Sequence, residues 1–234
     1  MPKLVTSNGT VIKFKTVPLF SGSSVINPIN AKENLLLFKK IMDRHSLFFA
    51  LTAGTLLGAI REHDFIKHDE DIDLALFAKD KQQVIDIIPE FYEVGFKVVR
   101  YDRRNVISIM RKGDYIDLCF FEPYEDGIYD CDGTLILAQF MENIGQVKFL
   151  GEVFNMPMDA EEYLLCEYGK DWRTPRHFFN FNQPKHKILL YKLKEYIKDY
   201  LPDFLYNKFA VKAAANHRLE FYGRFDRYRK DKQG

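Results

Sequence analysis

Apolar and polar residues follow two different periods along the chain, and each period predicts one type of secondary structure. Residues 4–17 contain Asn8-Gly9, a typical two-residue turn followed by strand-like residues such as Val11 and Phe14, and therefore predict a β-hairpin. Short apolar runs predict strands at residues 47–51, 71–77, 96–101, 106–111 and 115–121, and a further strand pair between residues 134 and 154.

Apolar residues with helical spacing predict helices between these strands. The first helix is expected to begin with Asn30 as its N-cap and Glu33 as its capping-box partner, and to end near His45. Pro89 lacks an N–H donor and is expected to kink or split a helix over residues 81–94. Further helices are predicted from residue 56 and at residues 159–168, 185–200 and 211–228. Helices mixed with strands of antiparallel character predict an α+β fold.

Composition and charge become informative at the C-terminal end of the chain. The 234 residues are 47% hydrophobic and 29% charged, an ordinary globular balance, and the formal net charge is +1, so no nucleic-acid partner is expected. Residues 185–234 nevertheless carry a net charge of +7, whereas the rest of the chain carries −6. This basic segment is expected either to make a peripheral contact with a membrane or to form a helical pair packed on the domain.

Cysteine usage and hydropathy bear on the cellular compartment. Cys119, Cys131 and Cys166 are too few and too scattered for a disulfide framework or a zinc cluster, and reduced thiols in a cytosolic protein are the simplest interpretation. The residues after Met1 lack the features of a signal peptide. No apolar stretch approaches the ~20 residues that cross a bilayer. The expectation is a cytoplasmic protein, with peripheral contact at the inner face of the cell membrane as one option.

The segment from Asp69 to Asp73 places four carboxylates within five residues, directly before an apolar run. Side chains two residues apart on a strand share one face and lie ~6.5–7 Å apart along it, so Asp71 and Asp73 can both reach one divalent ion. Mg²⁺ prefers one or two protein carboxylates together with phosphate oxygens and waters. Such a pair is also common in polar turns, but two further features favour a metal site.

These two features lie on either side of the acidic pair. Upstream, Gly54-Thr55 follows an apolar strand and precedes a helical segment, where backbone N–H groups and a hydroxyl can hold a phosphate. Downstream, Asp117 lies within the apolar strand 115–121, where a lone charge is costly unless it is paired or bound to a metal. On a strand next to the first, Asp117 would complete the metal site or accept a proton.

Taken together, these motifs resemble the LicD family of the nucleotidyltransferase superfamily, which includes bacterial phosphocholine transferases and the animal fukutin and fukutin-related proteins. The resembling segments are GTLLGAIR at 54–61, FI at 65–66, DEDID at 69–73, DYID at 114–117, EYL at 162–164 and YGKDWRTP at 168–175. The resemblance implies a mixed β-sheet flanked by helices in a catalytic domain over residues 30–180. A hairpin and loop over residues 1–29 would precede it, and a basic amphipathic helical extension over 181–234 would follow.

The resemblance also implies a reaction. A phospho-alcohol, such as phosphocholine, phosphoribitol or phosphoglycerol, would move from a CDP-linked donor to a hydroxyl of a cell-surface glycan, with a lipid-linked glycan as one option. Mg²⁺ or Mn²⁺ would be held by Asp71, Asp73 and Asp117, the predicted catalytic residues, with Asp117 as ligand or general base. Gly54 and Thr55 would hold the donor phosphate.

Three basic residues extend this predicted binding site. Arg61 could hold a diphosphate, although an ion pair with Glu62 or Asp64 competes with that role. Lys67 and His68 stand where phosphocholine-transferring members have Pro-Trp, and a quaternary ammonium favours an aromatic cage. The missing Trp therefore favours an anionic or polyhydroxyl group over choline, with solvent-facing side chains as the competing interpretation.

Three alternatives to this reaction stay open. A nucleotidyltransferase would transfer the nucleotide itself to a protein, a small molecule or RNA. A glycosyltransferase could use Asp-x-Asp to hold a nucleotide-sugar, but it would not explain the upstream Gly-Thr turn or the third Asp. A scaffold that binds a nucleotide without turnover is the third alternative, and the presence of all three carboxylates argues against it.

Overall fold

A computed structural model describes residues 2–19, 25–103, 105–175 and 184–233, and the structural statements concern these ranges. The strands are β1 Lys3–Val5, β2 Val11–Lys13, β3 Ala50–Leu51, β4 Ile72–Phe77, β5 Lys97–Asp102, β6 Val106–Arg111, β7 Asp114–Glu125, β8 Ile128–Cys131, β9 Thr134–Leu137, β10 Ile144–Phe149 and β11 Glu152–Pro157. The helices are α1 Pro28–Arg44, α2 Ala53–Arg61, α3 Lys81–Asp86, α4 Ile88–Glu93, α5 Ala138–Glu142, α6 Ala160–Tyr168, α7 Lys185–Tyr200 and α8 Asp203–Gln233.

The main sheet is mixed and has the strand order β3-β4-β7-β6-β5. Strands β4 and β7 run parallel, while β3 pairs with β4, β6 with β7 and β5 with β6 in antiparallel fashion. The second half of the long strand β7 pairs with β8, which pairs in turn with β9. Strands β1 and β2 form a separate hairpin, as do β10 and β11. This confirms the predicted mixed sheet flanked by helices.

Most predicted elements are found close to their expected positions. The hairpin turns at Asn8-Gly9, with Gly9 at a φ of +86°, although its second strand ends at Lys13 rather than near residue 17. Pro89 splits the predicted helix into α3 and α4. Helix α2 begins earlier than predicted, so Gly54 and Thr55 belong to its first turn. Helix α8 is longer than predicted at both ends.

The predicted N-terminus of the first helix is wrong by three residues. Asn27 is the N-cap, and its side chain accepts hydrogen bonds from the backbone N–H groups of Ile29 and Asn30. Pro28 then occupies the first helical position, where its fixed φ and missing N–H cost nothing. Glu33 makes no capping box and instead forms ion pairs with Arg111 and Lys112 at the end of β6.

The two faces of the main sheet have different chemistry. One face is apolar and packs into a core shared with α1 and α4, whose Phe38 and Phe91 rings stack at a centroid distance of 5.3 Å. Its fully buried residues in the two parallel strands are Ile72, Leu74, Leu76, Ile116, Leu118 and Phe120. Because strand side chains alternate, the residues between them, Asp73 and Asp117 among them, face the other way.

The C-terminal helices pack beside this polar face. Helix α8 is attached to the domain by the Tyr206 hydroxyl, which donates to Asp102 at 2.5 Å, and by an Arg218–Asp130 ion pair of 2.7 Å. No helix in the described ranges is both long enough and apolar enough to span a bilayer. The predicted domain boundary between residues 180 and 181 lies outside the described residues, and the predicted division at residue 29 stays a prediction.

Candidate active site

Three carboxylates meet on the polar face of the main sheet. Asp73 in β4 and Asp117 in β7 are direct partners in the parallel register, although they are far apart in the chain. Asp71 immediately precedes β4 and contributes the third carboxylate. One oxygen from each of the three residues lies within 4.8 Å of the others. The predicted cluster is therefore assembled by the pairing of β4 with β7.

Burial and mutual repulsion make this acidic cluster electrostatically strained. Burial, followed by the charges of Asp117 and Asp69, raises the pKa of Asp71 to about 7. Burial, followed by the charge of Asp71, raises the pKa of Asp73 well above its ordinary value. One buried oxygen of Asp69, Oδ2, has no hydrogen-bond partner among the described residues. A cation would relieve all of these effects, so the donor set fits a divalent metal ion.

Asp117 is held in place by two residues that the sequence analysis did not identify. The Ser108 hydroxyl donates to Asp117 Oδ1 at 2.5 Å, and the Arg100 guanidinium forms an ion pair with Oδ2. Arg100 Nε also donates to the Ser108 oxygen at 2.9 Å. Hydrogen bonds to both carboxylate oxygens fix the Asp117 side chain in one orientation.

These residues form a polar row across four strands. Arg100 in β5 is the register partner of Ser108 in β6. Ser108 is in turn the partner of Asp117 in β7, and Asp117 is the partner of Asp73 in β4. Each of them lies beside apolar strand residues in the sequence, and that shared signal could have identified Arg100 and Ser108 before the structure was known. The pairing order of the strands could not be obtained from the same pattern.

Gly54 and Thr55 contact Asp73 from the first turn of α2. The Thr55 hydroxyl accepts a hydrogen bond from the Asp73 backbone N–H at 2.8 Å, and the Gly54 N–H donates to Asp73 Oδ2 at 3.3 Å. A Cβ at Gly54 would lie 2.7 Å from Asp69 Oδ2, so only glycine fits there without a shift of that carboxylate. The two residues thus position the Asp73 carboxylate, and Thr55 itself is buried.

The three predicted basic residues lie elsewhere. Arg61 is at the opposite end of α2, where it forms the competing ion pair with Glu62 and donates to the Trp172 carbonyl at 2.9 Å. Arg61 and His68 line a separate cavity of about 150 Å³, and Gly54 forms part of its wall. Lys67 is exposed in the loop that leads to the acidic cluster. Their predicted roles in phosphate binding stay predictions.

A larger cavity, of about 430 Å³, opens over the polar row. Asp73, Asp117 and Arg100 lie in its wall on the side of the sheet. The C-terminal helices form the opposite wall with Tyr191, Glu195, Lys198, Tyr206 and His217. The basic extension predicted from the sequence is therefore part of the site's enclosure. The cavity combines an acidic cluster that can bind a cation with basic groups that can contact an anionic ligand.

Such a site on a mixed sheet defines a nucleotidyltransferase-type domain, and a family comparison agrees. Residues 46–159 match the family model described as "LicD/FKTN/FKRP, nucleotidyltransferase domain". The resemblance to the LicD family that the motifs predicted is therefore confirmed over this range, which is just under half of the chain. The matched range contains the three carboxylates and the whole polar row.

Individual relatives are similar over part of the chain. The human ribitol-5-phosphate transferase FKTN is 28% identical over 160 residues, which are 62% of this chain and 34% of that protein. The chain thus matches about a third of the length of this relative. An uncharacterized protein of Caenorhabditis elegans is 48% identical over 160 residues, 61% of this chain and 42% of that protein. The crystal structure of ANT(2")-Ia with adenylyl-2"-tobramycin aligns at a TM-score of 0.44 and 14% identity, over 84% of this chain and 99% of that one.

Proposed function

We propose that the protein is a metal-dependent transferase that moves a phospho-alcohol from a CDP-linked donor to a hydroxyl of a glycan. The observation that carries this proposal is the meeting of Asp71, Asp73 and Asp117, because Asp73 and Asp117 also line a cavity large enough for a small ligand. The match of residues 46–159 to the LicD family model supports the reaction class. The name of the fukutin relative makes phosphoribitol the first candidate for the transferred group, ahead of phosphocholine and phosphoglycerol.

The three carboxylates would hold Mg²⁺ or Mn²⁺. A bound ion would neutralise charge on the donor diphosphate and on the departing CMP. Both oxygens of Asp117 already accept hydrogen bonds, from Ser108 and from Arg100. This arrangement favours a metal-ligand role for Asp117 over that of a general base, because the carboxylate is oriented and paired as an anion.

Other residues of the chain would orient the acidic cluster, contact the donor and exclude water from it in this reaction. Gly54 and Thr55 orient Asp73, while Ser108 and Arg100 orient Asp117, so the acidic cluster is pre-organised by hydrogen bonds. Arg100 is 27% exposed in its side chain and lines the cavity, where it would also contact a donor phosphate oxygen. The C-terminal helices would limit the access of water to the bound donor.

The acceptor is proposed to be a glycan, with a lipid-linked glycan as one form of it. A cytoplasmic location stays a prediction. No nucleic acid is expected as a partner, because the whole chain carries a net charge of only +1.

A donor panel tests the proposal. Thermal-shift and turnover measurements with CDP-ribitol, CDP-choline and CDP-glycerol, each with and without Mg²⁺, should show metal-dependent stabilisation and release of CMP with one donor. Asp73→Asn should abolish the turnover and leave the fold intact, whereas Asp126→Asn, an exposed turn residue, should behave as wild type. Wild-type turnover by Asp73→Asn would refute the metal site.

The products distinguish the alternatives. Nucleotidyl transfer would release diphosphate and leave a nucleotide on the acceptor. A glycosyltransferase would release a nucleoside diphosphate from a nucleotide-sugar. Metal-dependent stabilisation by nucleotides without turnover of any donor would indicate a binding scaffold.

A further inference from the structure

Helix α7 has two opposite faces. Its inner face contains Tyr191, Glu195 and Lys198, which line the cavity over the acidic cluster. The Tyr191 hydroxyl donates to the Leu19 carbonyl at 2.5 Å, and Glu195 is buried and paired with Lys198. The contact of Tyr191 with Leu19 and the burial of Glu195 fix how the helix is rotated about its axis. The opposite face must therefore point away from the domain.

That opposite face, which we name the α7 outer face, is apolar. Its large side chains are between 42% and 73% exposed. They are Leu189, Leu190, Leu193, Tyr196, Ile197 and Tyr200. Their spacing of three, four and seven residues places them in one stripe along the helix, because successive residues are about 100° apart. Scattered exposed apolar residues are ordinary, but a continuous stripe of six marks a contact surface.

Lysines border this stripe on both sides. Helical geometry places Lys192 along one edge, and Lys187 and Lys194 along the other, and all three are exposed. An apolar stripe with aromatic residues and flanking lysines is the pattern of a helix that lies in the interface of a membrane. The lysines would contact anionic headgroups while the stripe enters the acyl boundary.

We propose that the α7 outer face docks the protein on an anionic lipid bilayer. Charge distinguishes this occupant from a second copy of the chain. Two copies packed through the same face would bring the lysine-lined edges of one helix against those of the other, and like charges at close range oppose association. An anionic bilayer instead complements both edges at once.

Docking through this face would set the distance between the cavity and the bilayer. The same helix contributes one face to the cavity wall and the other to the bilayer, and an α-helix with its side chains is about 10–12 Å thick. The cavity over Asp73 and Asp117 would then lie about one helix diameter from the lipid headgroups. In the reaction proposed above, on which this step rests, that distance suits an acceptor glycan carried on a lipid. The docking itself does not depend on the reaction.

Vesicle flotation of the full chain tests the docking. Vesicles of phosphatidylcholine with phosphatidylserine should carry the protein upward, vesicles of phosphatidylcholine alone should carry much less, and high salt should reduce the binding. The double variant Leu190→Ser, Leu193→Ser should bind at least about tenfold more weakly, since two apolar side chains no longer enter the bilayer. The matched control is Val211→Ser, Leu219→Ser, two similarly exposed positions of α8, which should bind as wild type.

Transfer to a water-soluble acceptor is measured in parallel. Both double variants should keep wild-type activity and melting temperature, since neither pair of residues touches the cavity. Absence of flotation by the wild type, or equal flotation of the α7 variant, overturns the docking proposal even if transfer is observed. A concentration-dependent dimer that the α7 variant abolishes, without vesicle binding, would assign the surface to a second copy instead. Loss of transfer with intact vesicle binding would count against the reaction alone.

Discussion

The Arg100 guanidinium forms an ion pair with the Asp117 carboxylate from two strands away, and the Ser108 hydroxyl between them contacts both. All three side chains emerge from neighbouring positions in the register of β5, β6 and β7. This relationship gives the acidic cluster a fixed cationic neighbour on one side. It also leaves Asp71 and Asp73, which have no such ion pair among the described residues, as the more strongly repelled members of the cluster.

Replacement of Arg100 by Gln is expected to lower kcat/KM for the CDP-linked donor about 10- to 100-fold, the usual range for the loss of a charged hydrogen-bonding partner. Two effects contribute, because Asp117 loses its orienting ion pair and the donor loses a phosphate contact. Steady-state kinetics at saturating Mg²⁺ measures the change, and part of it should appear as a higher KM for the donor. The conservative Arg100→Lys should recover some of the loss in kcat/KM.

Ser108→Ala provides a graded comparison. It removes one neutral donor to Asp117 and keeps the ion pair, so a smaller loss of about 1 kcal/mol in transition-state stabilisation is expected. If Ser108→Ala proved as damaging as Arg100→Gln, the row would be acting through packing rather than through charge. Wild-type kinetics in Arg100→Gln would remove Arg100 from the site.

The sequence predicted the strands and the acidic cluster because both depend on local pattern. Asp73 and Asp117 are each a charge within an apolar strand, and burial makes such a charge informative wherever the strand lies. Arg100 and Ser108 carry the same signal, but their role depends on which strands are neighbours. Strand order and register arise from tertiary pairing, which hydrophobic periodicity does not encode. The sequence alone therefore could not predict that these residues form one polar row.

The wrong N-cap prediction for the first helix arose because two asparagines could each cap it. Asn27 and Asn30 are both good N-caps, and the sequence analysis chose Asn30 because Glu33 follows it at capping-box spacing. In the structure Glu33 is recruited by Arg111 and Lys112, and Asn27 caps the helix ahead of Pro28. The two ion pairs of Glu33 thus remove the capping-box partner on which the prediction of Asn30 depended.

Gly54→Ala tests the close approach of Asp69 to helix α2. The added methyl group would lie 2.7 Å from Asp69 Oδ2, so the carboxylate or the helix start must shift. We expect a clear loss of transfer and weaker stabilisation by Mg²⁺ in thermal-shift measurements, because Gly54 also donates to Asp73. The matched control is Gly223→Ala in α8, where nothing lies within 4 Å of the new atom.

That control should gain stability by about 0.5–1 kcal/mol, since alanine is favoured over glycine in a helix interior. Chemical denaturation of both variants separates the two effects. Full activity and metal response in Gly54→Ala would show that the Asp69 carboxylate moves at no cost, and the proposed role of this glycine would be lost.

Thr55→Val tests the buried link between α2 and β4. The substitution keeps the shape of the side chain but removes the oxygen that accepts the Asp73 backbone N–H. A buried donor left without a partner costs about 1–3 kcal/mol, so the free energy of unfolding should fall by that amount. Thr55→Ser retains the acceptor and should recover most of the stability lost in Thr55→Val. Wild-type stability in Thr55→Val, or a larger loss in Thr55→Ser than in Thr55→Val, would point to the methyl group of Thr55 and not to its hydrogen bond.

Without metal, the stability of the wild-type protein should carry a pH-dependent component that Asp71 generates. Its pKa is raised from 3.8 to about 7 in the folded chain, by burial and then by the neighbouring carboxylates, so the folded state holds a proton that the unfolded state has released. The contribution of Asp71 to stability is therefore fully present below pH 3.8 and is lost as the pH rises to about 7. Melting temperatures across this range should fall more steeply for the wild type than for Asp71→Asn. Saturating Mg²⁺ should flatten the difference, because a bound cation replaces the proton, and parallel curves with or without Mg²⁺ would contradict the shared acidic site.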